Sequence, residues 1–365
     1  MVGCYNPFTK HHVPFKGPVR FHSYGSPYHV FVLENLENEV IIYDPIAKKV
    51  LLHEEYPKYG FTSMVTHNSD VYIGLTTGMM LVLLEDRKSY SYKEFELWEL
   101  GRCDKGFERQ PLGVLGVNEL VTFIGTEGRR IGEWQCIYLY IGNSEYEFKL
   151  DGSLECYRFD QQSGLLLVVV KTGTKRCLYR IELIGPTGSK GPRCVIYHLE
   201  FLPEDCSTHR ATAVSINGDV AFHDRGLVYI VNPIQERGTG PLFMENILKA
   251  DQGGQTCFVG EDDGFLIYCE NWSSTIAVAE RSGESWKKRD LPRLNISNTL
   301  NTRPKGMTYS NIFDPVWNGQ KLVVRVGPDG FPGDMGDGEA GNMLLACDLS
   351  SRDAVLDEVD LSLSP

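Results

Sequence analysis

Apolar residues along this chain fall into short runs, most of them introduced by a turn signal. The turns are Gly25-Ser26-Pro27, Asn68-Ser69-Asp70, Val117-Asn118, Ser163-Gly164, Asn217-Gly218, Asp262-Asp263-Gly264 and Asn318-Gly319. Behind them come HVFVLE, DVYIGL, ELVTFIG, GLLLVVVK, DVAFHD, GFLIYCE and QKLVVRV, rich in β-branched, aliphatic and aromatic residues. Asn-Gly and Asp-Gly suit turns whose two central residues both take positive φ, so these pairs predict β-hairpins. A second run follows each first one: VIIYDP, MLVLLED, IYLYIG, LYRIELI, VYIVNPI, IAVAER and LLACDL. A third, more polar and alternating run closes several units, as in KVLLHEEY, SYKEFELW, SEYEFKL, VIYHLEFL and AVLDEVDLSL. Segments such as FTSMVTH, RATAVSI and QTCFVGE lead into the turns and supply a fourth strand. No long 3.6-period apolar stripe with caps at both ends stands in the sequence, so little helix is expected.

Taken at about 26, 69, 118, 163, 217, 263 and 318, the turns are roughly 43 to 55 residues apart, the spacing of propeller blades. The expected fold is therefore all-β: a seven-bladed β-propeller of four-stranded antiparallel blades. Residues 1–17 read as an N-terminal arm and 18–364 as a single propeller domain. The middle strands of each unit are apolar at nearly every position, as expected where neighbouring blades cover both faces; outer strands alternate where an edge meets water. A pair of β-sandwich domains is the competing arrangement, and the regular spacing favours the propeller.

Some phrases carry a resemblance at the level of single blades. DVYIGLTTG, beginning at Asp70, resembles blades of quinoprotein-type propellers. YDPIAKKVLLHEEYP, from Tyr43 to Pro57, and VNPIQERG, from Val231 to Gly238, resemble the Asp-Pro and Asn-Pro hairpins of kelch-like, F-box-associated propellers. What these resemblances imply is the architecture shared by WD40, quinoprotein and kelch-like propellers, with no specific family. The Trp-Asp endings of WD40 repeats and the double glycine of kelch blades are missing, and no F-box-like helical pattern precedes the first unit.

Charge and composition narrow the partners. A formal net charge of −12 argues against a broad nucleic-acid surface or an anionic-membrane surface. The N-terminal stretch lacks the apolar core of a secretory signal, and no apolar run reaches membrane-spanning length, so no membrane insertion is expected. The 10 cysteines form no Cys-x-x-Cys pair, and Cys136, Cys177, Cys194, Cys257, Cys269 and Cys347 sit in or beside apolar runs. Buried free thiols in a cytoplasmic or nuclear protein are the expectation. The alternative is a secreted protein whose leader was removed, for which Asn271-Trp272-Ser273 and Asn295-Ile296-Ser297 would be glycosylation sequons.

With strands labelled a to d from the centre outward, the b–c and d–a connections of a propeller share one face. Three b–c connections carry candidate chemistry. The third unit brings Arg129, Arg130 and Trp134, and the sixth brings Trp272. Exposed Trp and Arg dominate interface energetics, so these four are the expected partner-binding residues. The seventh carries GPDGFPGDMGDGEAGN, where Asp329, Asp334, Asp337 and Glu339 stand among glycines. Calcium wants six to eight oxygens, but the spacing departs from the EF-hand loop; a mobile acidic loop is the expectation and a calcium site the alternative.

Catalytic signatures are lacking. His22, His67 and His209 fall on candidate inner strands, His22 and His209 near the beginning and His67 near the end, too spread to hold one metal. Gly-x-Ser-x-Gly and Walker-type loops do not occur. Gly185 to Gly191 reads as a c–d connection without a following helix to cradle phosphate. Arg281 to Trp286 partly resembles the Asp-box turn of sialidase-type propellers, with Arg281 where the Asp should be. The function expected is a non-catalytic protein–protein interaction scaffold or adaptor, with no cofactor, binding another protein or peptide on its loop face. The alternative is a propeller enzyme or a small-ligand or glycan binder using the channel mouth, with a cation.

Overall fold

The computed structural model describes residues 19–25, 28–33, 39–44, 49–56, 60–67, 70–75, 80–86, 89–95, 107–115, 119–127, 134–141, 144–183, 192–199, 210–224, 227–238, 243–244, 254–270, 276–289, 310–317, 322–328, 343–347, 349 and 356–358. Seven antiparallel sheets stand among them, each built on four strands in chain order, a to d, with a fifth short strand added in one of them. The first holds β1 (Val19–Gly25), β2 (Tyr28–Leu33), β3 (Glu39–Asp44) and β4 (Lys49–Glu55). The second holds β5 (Phe61–His67), β6 (Asp70–Leu75), β7 (Met80–Asp86) and β8 (Ser89–Phe95). The third holds β9 (Phe107–Leu115), β10 (Glu119–Glu127), β11 (Trp134–Ile141) and β12 (Ser144–Asp151). The fourth holds β13 (Ser153–Asp160), β14 (Leu165–Thr172), β15 (Lys175–Glu182) and β16 (Arg193–His198). The fifth follows β17 (Arg210–Val214), β18 (Val220–Asp224), β19 (Leu227–Asn232) and β20 (Arg237–Gly238). After the two-residue β21 (Phe243–Met244) come β22 (Gly254–Val259), β23 (Phe265–Glu270), β24 (Ile276–Ser282) and β25 (Ser285–Arg289) in the sixth. The seventh holds β26 (Ser310–Trp317), β27 (Leu322–Pro328), β28 (Met343–Cys347) and β29 (Leu356–Glu358).

Two compact units contain these sheets. One is Tyr56–Gly240, with the second to fifth sheets. The other joins Met1–Glu55 to Pro241–Pro365, with the sixth, seventh and first. Within it β26 packs on β22 and β23 on one side and on β1 on the other, so the seventh sheet lies between the sixth and the first. Arg289 at the end of β25 donates from Nη1 to the carbonyl of Leu349 in that same unit.

The fourth sheet shows why the b strands lack alternation. Leu166, Val168 and Val170 of β14 join Leu112, Val121, Leu150, Ile181 and Leu183 in a core against the third sheet. Leu167 and Val169 point the other way, into a core with Leu178, Ala211, Val214, Val220, Phe222 and Val231 of the fourth and fifth sheets. A strand covered on both faces needs apolar side chains at odd and even positions alike, and burying each contributes about 1.5–3 kcal/mol.

The innermost strands depart from regular pairing. The a–b register shifts in six sheets, and β22–β23 alone among the seven described a–b pairs runs without a shift. In β13 the extra residue is Glu155, between Leu154 and Cys156; in β17 it is Thr212, between Ala211 and Ala213. Bulges sharpen the twist of a strand and redirect one side chain, which suits strands crowded at the inner edge of the sheets.

The described a–b turns fall where the sequence placed them; positive φ at both central residues is met in the sixth sheet and not in the fifth. At Asn217-Gly218 only Gly218 has positive φ, 84°. Its N–H donates to the Ser215 carbonyl at 3.0 Å, and the Ser215 N–H to the Asp219 carbonyl at 2.8 Å. That is a type I turn closed by a left-handed glycine. In the sixth sheet Asp262 and Asp263 take φ of 52° themselves, while Gly264 is right-handed at −71°. Asp is among the few side chains that tolerate the left-handed region.

The Asn232-Pro233 corner latches the c–d turn of the fifth sheet to its a–b turn. Asn232 Oδ1 accepts from the N–H groups of Ile234 and Gln235, both at 3.0 Å. Its Nδ2 donates to Asp219 Oδ1 at 2.9 Å and to the Asn217 carbonyl at 3.2 Å. Asn232 is 1% exposed, so truncating it strands buried donors and acceptors. Asn232→Ala should destabilise the protein by about 1–3 kcal/mol in chemical denaturation; an unchanged midpoint would show the latch to be dispensable.

Candidate functional site

The b–c end of the third sheet is the part of the candidate interface that the structure frames. Thr126 and Glu127 close β10, and Trp134 opens β11 directly opposite Glu127. The register shifts between Gly125 and Glu127, which puts a bulge at the base of the connection 128–133. Bulges at strand ends turn the chain and set the direction in which a loop leaves a sheet. Arg129 and Arg130 lie on that connection, outside the described residues, and for Trp134 the backbone alone is described. Trp272 falls between β23 and β24, on the b–c connection of the sixth sheet, also outside them. So do Asp329, Asp334, Asp337 and Glu339, between β27 and β28. All three segments are b–c connections, as the sequence indicated.

Beside the third sheet, the same end of the fourth has short connections. A single residue, Gly152, links β12 to β13, and Gly173-Thr174 alone link β14 to β15. Thr172, Gly173, Thr174 and Lys175 are exposed. Below them the bulge residue Glu155 meets Arg176 in a two-pronged ion pair: Nε donates to Oε2 at 2.8 Å and Nη2 to Oε1 at 3.1 Å. The Arg176 side chain is 0% exposed and that of Glu155 9%. Glu155 Oε2 also accepts the N–H of Ala211 at 3.3 Å, and the guanidinium lies 6.0 Å from the Phe222 ring centroid. One pair thus ties strands a and c of the fourth sheet to strands a and b of the fifth. Sequence reading missed it, because KTGTKR reads as a surface charge run and a bulge cannot be counted from alternation.

The opposite, a–b end of this unit is closed by short contacts. Gln161 Nε2 donates to His67 Nδ1 at 2.6 Å, joining the a–b turns of the second and fourth sheets. A Cβ on Gly113 of β9 would run into the Phe159 ring, so the third sheet's inner strand passes tightly by that corner. His67 ends β5 as expected, whereas His22 lies midway along β1, not near its start; His209 is outside the described residues. Among the described residues no three His, Cys, Asp or Glu side chains converge as metal ligands. Gly185 to Gly191 does fall on a c–d connection, between β15 and β16. Arg281 to Trp286 forms the c–d hairpin of the sixth sheet, with Arg281 paired to Trp286 and Ser282 to Ser285.

One pair of side chains has the composition of a nucleophile and its base. Cys177 Sγ lies 3.3 Å from His198 Nδ1 across β15 and β16. Burial pushes the Cys177 thiol up, with nearby Lys175 opposing in part, and burial also raises Cys194. A reactive cysteine needs the opposite shift, toward thiolate at neutral pH.

Sheets of four antiparallel strands in chain order, with inner strands bulged and middle strands buried on both faces, define a β-propeller. The comparison with solved structures agrees. The chain is similar to the structure described as "YCF48 bound to D1 peptide", with a TM-score of 0.51 and 12% identity, over 90% of this chain and 94% of that one. Lower scores are found for "Structure of Dos1 propeller" (0.49, 11% identity, 87% of this chain and 79% of that one). The "Crystal Structure of Mitotic Checkpoint Complex" gives 0.48 at 10% identity, over 87% of each chain. No family model and no curated protein sequence matches the chain. At these identities the likeness is one of fold.

Proposed function

We propose that this chain is a non-catalytic binding protein that engages another protein or peptide through the ends of its sheets bearing the b–c and d–a connections. The observation that carries this reading is the contrast between the two ends of the second to fifth sheets. At the a–b end, where the c–d connections also lie, 68–69, 87–88, 116–118, 142–143, 161–164, 215–219 and 233–236 are all short, 183–192 being the one longer segment, and 161–164 and 215–219 are held by hydrogen bonds. At the other, the longer segments 96–106, 128–133 and 200–209 leave the sheets. Long connections positioned by a rigid scaffold are where binding residues concentrate. The peptide named with the YCF48 structure supports the same kind of use for a propeller of this shape.

Arg129 and Arg130, with Trp134, are the first residues to test. Reversing both charges (R129E/R130E) should weaken recovery of a specific partner by about thirtyfold or more, the loss expected of a hot spot. The variant should keep the wild-type Tm. Undiminished recovery would remove this end of the third sheet from the interface. Trp272→Ala is a separate test of the sixth sheet's connection.

A further inference from the structure

We propose that the outer edge of the fourth sheet is a second docking surface, which accepts an extended peptide as an added strand. β16 is the terminal strand of its sheet, pairing with β15 on one side. The edge of such a strand offers a row of main-chain N–H and C=O groups to any chain of matching register. Natural proteins blunt these edges with charge, proline or brevity. The other d strands do so: β4 carries Lys49, Glu54 and Glu55, β8 Lys93 and Glu94, and β12 Glu145, Glu147, Lys149 and Asp151. β25 carries Lys287, Lys288 and Arg289, while β20 and β29 have two and three residues.

β16 carries little of this protection, its one charged residue being Arg193 at its start. It reads Arg193-Cys194-Val195-Ile196-Tyr197-His198, six residues of high strand propensity with charge only at the start. Ile196 is 50% exposed and is the only large exposed hydrophobic side chain among the described residues. On the same face, half-buried Tyr179 stands opposite Ile196 in register. A strand added here would therefore gain main-chain hydrogen bonds and a shallow apolar contact at every second side chain, the mode of β-strand addition.

Charge selects the occupant. In a chain of net −12, β15 and β16 are locally basic. Arg180 is ion-paired to Glu182 at 3.3 Å and Arg176 to Glu155, which leaves Arg193 at one end of the edge and exposed Lys175 near the other as the basic groups. A second copy pairing antiparallel through β16 would bring basic ends together. The fitting occupant is a peptide with apolar and β-branched residues at alternate positions and acidic residues at both ends.

The test uses the full chain and fluorescein-labelled Asp-Glu-Val-Thr-Val-Thr-Val-Glu-Asp, read by anisotropy. Saturable binding is expected, together with slowed amide exchange along β16. Ile196→Asp should weaken it by about tenfold or more, as should a peptide whose central Val is replaced by Pro, which cannot donate to the ladder. R129E/R130E should leave this binding unchanged, which separates it from the interface proposed above. Because Ile196 is exposed, I196D should keep the wild-type Tm; should it not, Ile196→Ser serves as the milder variant. Absence of saturable binding, or equal affinity for I196D or for the Pro peptide, overturns the proposal. So does a concentration-dependent wild-type dimer in sedimentation that I196D converts to monomer, since the occupant would then be a second copy.

Discussion

Gly152→Val should leave the protein too unstable to purify, or lower its unfolding free energy by about 2–6 kcal/mol. The range adds two separate costs, each about 1–3 kcal/mol: backbone strain at an unfavourable φ and the forcing of atoms into a filled space. Gly152 takes φ of 133°, a region closed to side chains. A Cβ placed there would stand 2.6 Å from each of the Lys171 carbonyl oxygen, Thr172 Oγ1 and Val170 Cγ1. The carbonyl belongs to β14, whose side chains fill the two cores beside the fourth sheet, so it cannot give way. Gly152 is also the whole connection between the third and fourth sheets, and no neighbouring loop residue can absorb the change. The denaturant midpoint of the purified variant, or its partition into the insoluble fraction, is the measurement. A midpoint within error of wild type would mean that the linkage between these sheets is far softer than its geometry indicates.

The second large effect is at the ion pair beneath the neighbouring hairpin. Arg176→Met should cost about 3–5 kcal/mol, because it leaves the carboxylate of Glu155 in a buried site without its cation. The Ala211 N–H would remain as one donor to that carboxylate, too little to replace the two guanidinium bonds. Replacing both partners (E155L/R176M) should recover much of the loss, since apolar residues of similar volume avoid the desolvation of two ions. Denaturation of the two single variants and the double variant gives the coupling directly. If the double variant loses as much as the two singles combined, the pair acts through something other than its mutual attraction, with the Phe222 contact as the next candidate.

The sequence announced the hairpins because their signals are local. Apolar runs such as LLLVVV and the turn residues around Asn217-Gly218 depend on neighbours a few positions away, and the strands lie where those signals fall. The d strands of the fifth and sixth sheets gave no such signal. β20 is two residues long, and β25 reads SWKKR, with Trp286 as its one apolar side chain. Trp286 is 6% exposed and sits 5.5 Å from the Phe258 ring, so the apolar anchoring of that strand comes from one aromatic side chain and not from an alternating pattern. Bulges such as the one at Glu155 were illegible because an inserted residue swaps the faces of everything after it. The Arg176 partnership depends on that swap. The b–c placement of Arg129, Arg130 and Trp272 was legible from the order of runs alone, since it required only that strands follow one another as hairpins.

The seventh sheet meets the first through β26 and β1, and among the described residues no strand is shared between them. Each sheet is therefore spelled by one uninterrupted stretch of sequence. Duplicating or deleting such a stretch adds or removes a whole module without splitting a hydrogen-bonded ladder. The barrier to changing repeat number then lies in matching side chains across two faces, a requirement that point substitutions can meet one at a time. A lineage built this way can drift in sequence until its relatives are recognised by shape alone.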